Sequence, residues 1–233
     1  MSFEADDTGA KKRDYWWTVL ATDPIALPLS RWLARRRLLT PDQVTTIALV
    51  LGLAVGLFFA LGTRWGLVLG GIVFYLAFVF DCVDGKLARA LDVTSARGKS
   101  LDALADAGRR ASASLGLFVY FWRSMTPVIG LASDAPLIEF IRPTELLVVV
   151  IYVVFAYFFL EISGAPKGEF DAGIGGKWSE ALARRRLLPN PGMPDVQAIV
   201  FILGPISGLV VPALWLGIAM VVFGILLTVW RRL

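Results

Sequence analysis

Four aspartates within a short stretch are the groups in this chain best placed to do chemistry: Asp81, Asp84, Asp102 and Asp106. Asp81 and Asp84 are three residues apart, one helical turn, so they share a helix face, which Ala88 continues. Asp102 and Asp106 are four apart on the following helix, with Gly98 one turn before them. The linker between the two helices is short, so the two acidic faces can meet. An ionised aspartate at the centre of a membrane helix costs roughly 2.5–3.5 kcal/mol on insertion scales, and four together also repel one another. Such a cluster persists if cations neutralise it. The chain has no histidine and one cysteine, Cys82. That excludes a Ser-His-Asp triad, imidazole ligands, a cysteine zinc site and an internal disulfide. Oxygen-only ligation points to one or two hard cations, Mg²⁺ or Mn²⁺. Gly85, Ala88 and Gly98 are small and leave room for a ligand beside the metal. Solvated helix-end carboxylates are the plain alternative. That reading accounts for Asp92 but not for two matched pairs flanked by small residues.

Membrane helices are the elements that must position these groups. Of the 233 residues, 57% are hydrophobic, with 15 Phe and 8 Trp, above the ~45–50% usual in soluble domains. The length suits one domain or one compact membrane bundle. The composition excludes a disordered chain, a disulfide scaffold and a coiled coil. Thr40-Pro41-Asp42-Gln43 reads as a capping box with proline at the first helical position. The apolar run after it, to about Gly62, is long enough to cross a hydrocarbon core of about 30 Å. A tight turn at Thr63-Arg64 makes the second helix, from Trp65 through the acidic segment, an antiparallel neighbour. A third helix is expected from about Gly98 to Trp122 and a fourth from about Pro143 to Phe159. Two more are expected over 194–208 and 210–230, with a break of uncertain position near Pro205 and Gly208. The fold class expected is therefore an all-α integral membrane protein with six transmembrane helices. Residues 14–39 precede them as an amphipathic interfacial helix, with Trp16, Trp17, Leu29, Trp32 and Leu33 toward lipid and Arg31 and Arg35–Arg37 toward phosphates. The division expected is 1–39, cytoplasmic tail and juxtamembrane helix, and 40–233, six-helix catalytic domain.

Charge sets the orientation. The first residues are polar and mixed in charge and read as a disordered cytoplasmic tail rather than a cleavable signal. With the N-terminus inside, only Arg64, Arg123 and Arg142 among the basic residues fall outside, and Arg109 and Arg110 lie within the third helix. All other lysines and arginines are cytoplasmic, a strong positive-inside signal. The acidic ends of helices two and three then face the cytoplasm, and a multi-pass plasma (inner) membrane protein is expected. A short repeat, LARRRLL, occurs at 33–39 and 182–188. It reads as two basic segments that hold helix ends at anionic lipid.

The acidic stretch as a whole, Asp81-x2-Asp84-Gly85-x2-Ala88-Arg89-x8-Gly98-x3-Asp102-x3-Asp106, resembles the signature of the CDP-alcohol phosphotransferase (CDP-alcohol phosphatidyltransferase) family at every fixed position. Thr40-Pro41-Asp42-Gln43-Val44-Thr45 is similar to that family's first-helix start, where Asn is usual at the place of Asp42. The resemblance covers about 26–233. It implies an enzyme that transfers a substituted phosphate from a CDP-alcohol to an acceptor hydroxyl, releasing CMP, in phospholipid biosynthesis. It implies Asp81, Asp84, Asp102 and Asp106 as ligands of two Mg²⁺ or Mn²⁺ ions, and Asp106 as general base too. It implies that Asp84, Gly85, Ala88, Arg89 and Gly98 bind the nucleotide, and that the chain is a homodimer. CDP-diacylglycerol is the expected donor, with a soluble CDP-alcohol such as CDP-inositol or CDP-ethanolamine as the alternative. No nucleic acid is expected as partner.

Two readings stay open at this stage. Arg110 shares the face of Asp106 and either binds an anionic, phosphorylated acceptor or forms an ion pair with Asp106 or Glu161. A divalent-cation transporter is the rival class, since intramembrane carboxylates are common there. Against it, this sequence shows no inverted repeat with the broken helices common in such proteins.

Overall fold

The computed structural model describes residues 10–125, 145, 147–157 and 177–232, and all described elements beyond one isolated bridge are helical. Helix α1 (Asp23–Arg36) follows a π turn at Thr18–Thr22. Then come α2 (Pro41–Ala60), α3 (Arg64–Ala90) and α4 (Ala96–Met125). Helix α5 (Leu147–Tyr157) is followed by α6 (Lys177–Arg184), α7 (Met193–Ser207) and α8 (Val210–Arg232). Among them, α2, α3 and α8 are long and apolar enough to cross a membrane, while α5 and α7 are shorter apolar helices. The 30-residue α4 is long enough, but its polar first half lowers its hydropathy. The expected break near Pro205 and Gly208 falls at Gly208, whose φ of +84° ends α7 and lets α8 start two residues later.

Local sequence sets the helix starts. Thr40 caps α2 as expected: its hydroxyl accepts from the Gln43 N–H at 3.3 Å, and the Gln43 side chain accepts from the Thr40 N–H at 2.9 Å. Thr63 caps α3 by accepting from the Gly66 N–H at 3.0 Å.

Helix α2 is the packing centre. Both α3 and α4 pack along its length, whereas α3 and α4 meet each other only briefly. The α2–α4 contact is a close backbone approach through small residues, Gly56 against Ser112 and Gly116, with Gly52 one turn earlier against Arg109. Ser112 Oγ accepts from the Gly56 N–H at 3.2 Å and donates to the Leu53 carbonyl at 2.7 Å. A Cβ at Gly56 would fall on Ser112, so any larger residue separates the two helices. A large apolar core joins Val55, Phe59, Phe74, Leu117, Phe201 and Leu214. A second cluster, with Ala26 and Leu33 of α1 against Val79, Val83 and Leu87 of α3, lies beneath the acidic segment.

The N-terminal segment straps this end of the molecule. Asp14 and Leu187 form a parallel bridge, the Trp16 indole donates to the Leu188 carbonyl at 2.7 Å, and the Trp17 N–H donates to Asp195 at 2.6 Å. Tyr15 packs its ring onto Gly192, where a Cβ would overlap it. Burial, then the nearby Asp14 and Asp195, push its phenol pKa up. Buried Asp23 binds two cations, Lys86 of α3 at 2.9 Å and Arg186 at 3.1 Å. Breaking one partner of such a buried pair commonly costs about 3–5 kcal/mol. The LARRRLL repeat has a shared geometry, for its third arginine is left-handed in both copies, Arg37 at φ +49° and Arg186 at φ +60°. The two copies differ in partner. Arg186 turns inward to Asp23 and the Lys11 carbonyl, while Arg37 is exposed.

Candidate active site

All four aspartates of the signature lie at the strapped end, two near the close of α3 and two in the first turns of α4. Their environments differ. Asp84 is 4% exposed and the Asp81 side chain 15%, whereas Asp106 is 41% exposed and Asp102 is on the surface. The α3 pair is therefore walled in and the α4 pair opens outward. Asp81 lies within electrostatic reach of both Asp102 and Asp106, and Asp84 of Asp81 and Asp102. Thr45 of α2 stands against Asp84.

The expected meeting of the two acidic faces is only partly realised. Among the described residues, no three acidic or cysteine side chains stand together closely enough to hold an ion. The reason is the packing: α2 lies against both helices and keeps α3 and α4 from closing along their lengths. What bridges the gap is Arg109. It is 1% exposed, with Nη1 3.5 Å from Asp81 Oδ1 and Nη2 against Asp106 Oδ1. Its guanidinium lies 5.5 Å from the Phe74 ring centre and 5.1 Å from that of Phe78, within cation–π range. Arg110 pairs with the other oxygen, Asp106 Oδ2, at 3.0 Å. Of the two sequence readings of Arg110, the ion pair with Asp106 is the contact seen, and Glu161 lies outside the described residues.

The donor set fits a divalent cation. Asp84 Oδ2 is buried without a hydrogen-bond partner, and buried Asp81 Oδ1 has only the Arg109 ion pair at 3.5 Å. An anionic oxygen left so is costly unless a cation completes it. The ligands at hand are oxygens alone, as Mg²⁺ and Mn²⁺ prefer.

The small residues line the same end. Arg89 lays its guanidinium over Gly85, where a Cβ would sit 3.4 Å from Nη1, and it stands within electrostatic reach of Asp84, Asp14 and Asp23. Ala88 and Gly98 are half-buried. Gly98 donates its N–H to Ser95 Oγ at 2.9 Å, and a Cβ on it would lie 3.2 Å from Asp42 Oδ1. The N-termini of α2 and α4 thus come side by side at Asp42 and Gly98. Both helix starts bring positive dipole ends to this end of the molecule.

Sequence reasoning left the role of Arg109 open and took Lys86 and Arg186 for cytoplasmic surface charge. The i,i+3 spacing of Asp106 and Arg109 was the available signal for the first. For Lys86 and Arg186 there was none, since their partner Asp23 is far away in the chain.

A helical membrane protein with a set of aspartates at one end of its bundle is the class that fold and site define. Residues 38–230 match the sequence profile described as CDP-alcohol phosphatidyltransferase, and the chain belongs to that family. It is thereby an enzyme, a transferase of substituted phosphate groups. No curated protein matches the chain.

Proposed function

We propose that the chain transfers a phosphatidyl group from CDP-diacylglycerol to an acceptor hydroxyl and releases CMP, with two divalent cations held by Asp81, Asp84, Asp102 and Asp106. The observation that carries the site assignment is the buried, unpartnered Asp84 Oδ2 beside Asp81, whose Oδ1 has Arg109 at 3.5 Å, the arginine that also pairs with the half-open Asp106. When bound, such cations neutralise a pyrophosphate and stabilise the leaving phosphate. Asp84, Gly85, Ala88, Arg89 and Gly98 form the nucleotide side, where small residues let the donor lie against backbone. Asp106 is the general base. It accepts the acceptor's hydroxyl proton as the new O–P bond forms and the bond from phosphorus to CMP breaks. Its partial exposure suits an acceptor arriving from water. Arg110, on its outer side, offers a cation to an anionic acceptor.

The rest of the assignment follows the membrane. Residues 1–39 are the tail and interfacial helix, and 40–233 a six-span catalytic domain that pairs as a homodimer. Arg64 donates to the Pro205 and Ile206 carbonyls, and Arg123 to the Ala60 carbonyl at 3.1 Å, at the bundle end away from the aspartates. This arrangement supports the positive-inside reading, with the acid site facing the cytoplasm at the plasma membrane. On a Cys82→Ser background, a cysteine at position 64 should react with an impermeant thiol reagent from outside intact cells. One at position 184 should react only after permeabilisation, and the reverse pattern overturns the orientation.

The chemistry is tested by incubating purified protein with labelled CDP-diacylglycerol, Mg²⁺ and a panel of alcohols and sugar phosphates. CMP release that depends on one acceptor is the expected result. Release only from a soluble CDP-alcohol would transfer the donor assignment to that class, and no release from either would sink the proposal.

A further inference from the structure

We infer that Asp23 is a positioning residue for the donor: through Lys86 it fixes the rotation of the last turns of α3, and with it the place of Gly85, Ala88 and Arg89. The inference rests on the proposed transfer from a CDP-linked donor. Helix α3 ends with two different faces. Asp81, Asp84 and Ala88 share one. Val79, Val83 and Leu87 share the other and pack against Ala26 and Leu33 of α1. Lys86 belongs to this second face, about 200° around the helix from Asp84, although it follows Gly85 directly in the chain. An apolar seam of this kind has no need of a lysine, since a leucine or methionine would pack there without a charge to bury. The Lys86 side chain and that of Asp23 are each 4% exposed, and they meet at 2.9 Å. The Lys86 ammonium also donates to the Cys82 carbonyl of its own helix at 3.4 Å. Held in this way against α1, its charge does not serve a substrate phosphate.

Replacing a buried ion pair by apolar residues is often neutral or stabilising, so stability alone does not account for this one. What the pair supplies is a fixed geometry. Asp23 gives one oxygen to each of two elements, Oδ1 to Lys86 and Oδ2 to Arg186 at 3.1 Å. Arg186 in turn donates to the Lys11 carbonyl from Nε at 3.2 Å and from Nη2 at 3.1 Å. One carboxylate therefore ties α3 to α1, to the strap and to the segment before α7. Arg89, one turn beyond Lys86, carries the effect to the donor side. Its guanidinium lies over Gly85, within electrostatic reach of Asp84 and also of Asp14 and Asp23. Without the Asp23 charge, Lys86 is released, the end of α3 is free to turn, and Arg89 loses one of the carboxylates that balance Asp84. Asp106 is on α4, which meets α3 only briefly, so the acceptor side is left as it was.

The test uses full-length protein in nanodiscs. CMP release is followed with CDP-diacylglycerol, or with the soluble CDP-alcohol if the wild type uses that, and KM is measured for donor and acceptor separately. Calorimetric titration with CMP in Mg²⁺ reads the nucleotide side directly. Asp23→Asn and Lys86→Met should each raise the donor KM and weaken CMP binding about tenfold, less than the ~10²-fold that a 1 Å misplacement of reacting groups can cost. The acceptor KM and kcat should stay near wild type, the pattern of lost uniform binding. Lys86→Arg keeps a cation for Asp23 and should bind CMP as the wild type does. An ion pair that only braces the fold would lower Tm and the yield of active enzyme while leaving both KM values unchanged, and that result overturns the inference. A Lys86→Arg protein as impaired as Lys86→Met overturns it too. If Asp23→Asn does not fold because it strands two cations, Lys86→Met still leaves Asp23 paired with Arg186 and carries the same test. A wild-type protein that releases CMP from neither kind of donor overturns the functional reading, and the inference with it.

Discussion

Asp106→Asn should lower the rate of CMP release by roughly 10²–10⁴-fold, the usual worth of a general base, while holding the CDP-linked donor nearly as well as the wild type. Asparagine keeps the shape but cannot take the acceptor's proton. Donor binding survives because Asp81, Asp84 and Asp102 remain. The two α3 carboxylates, the more buried ones, stand with Gly85 and Arg89 on the side that the proposal gives to the nucleotide. Calorimetric titration with a CDP-alcohol in Mg²⁺, beside single-turnover CMP release, separates the two quantities. Near-normal turnover in Asp106→Asn would place the base elsewhere. Lost donor binding would make Asp106 a ligand first and a base second.

Metal removal is the second large effect. Chelation with EDTA should abolish CMP release, and Mg²⁺ or Mn²⁺ should restore it. Asp84→Asn should weaken the donor itself, because the group lost is 4% exposed with an oxygen no protein donor reaches. A buried carboxylate so arranged depends on a cation. Full activity in a thoroughly chelated sample would refute the metal site, and an Asp84→Asn enzyme with unchanged donor affinity would move the ligands off α3.

Much of this molecule could be read where the causes are local. The capping box at Thr40 and Gln43, the tight turn before Arg64 and the one-turn spacing of the acidic pairs depend only on residues a few positions apart, and the structure contains each of them. The four-residue spacing of Gly52 and Gly56 was equally local, and it marks the face on which α4 packs. The reading failed where partners are distant. Lys86 and Arg186 carry the charge sign expected of cytoplasmic residues, and that sign alone does not distinguish a solvated end from one turned onto Asp23. Arg109 looked like the twin of Arg110. Their spacing along α4 differs by one residue, about 100° around the helix, and that rotation sends one guanidinium between two phenylalanines and leaves the other at the surface. The face-to-face meeting of the two acidic helices was inferred from a short linker, but a linker limits only the ends. The wide contact each helix makes with α2 decides the rest.

The strap across the acidic end also sets an order of completion during synthesis. Every aspartate of the site has left the ribosome by residue 106, yet the groups that fasten the strap, Arg186, Leu187, Leu188 and Asp195, follow some eighty residues later. Until then Asp23 has Lys86 as its cation but lacks Arg186, and Trp16 and Trp17 lack their acceptors on the later segment. A nascent chain therefore carries its aspartates early and fastens the strap over them late, once the segment through Asp195 has been made.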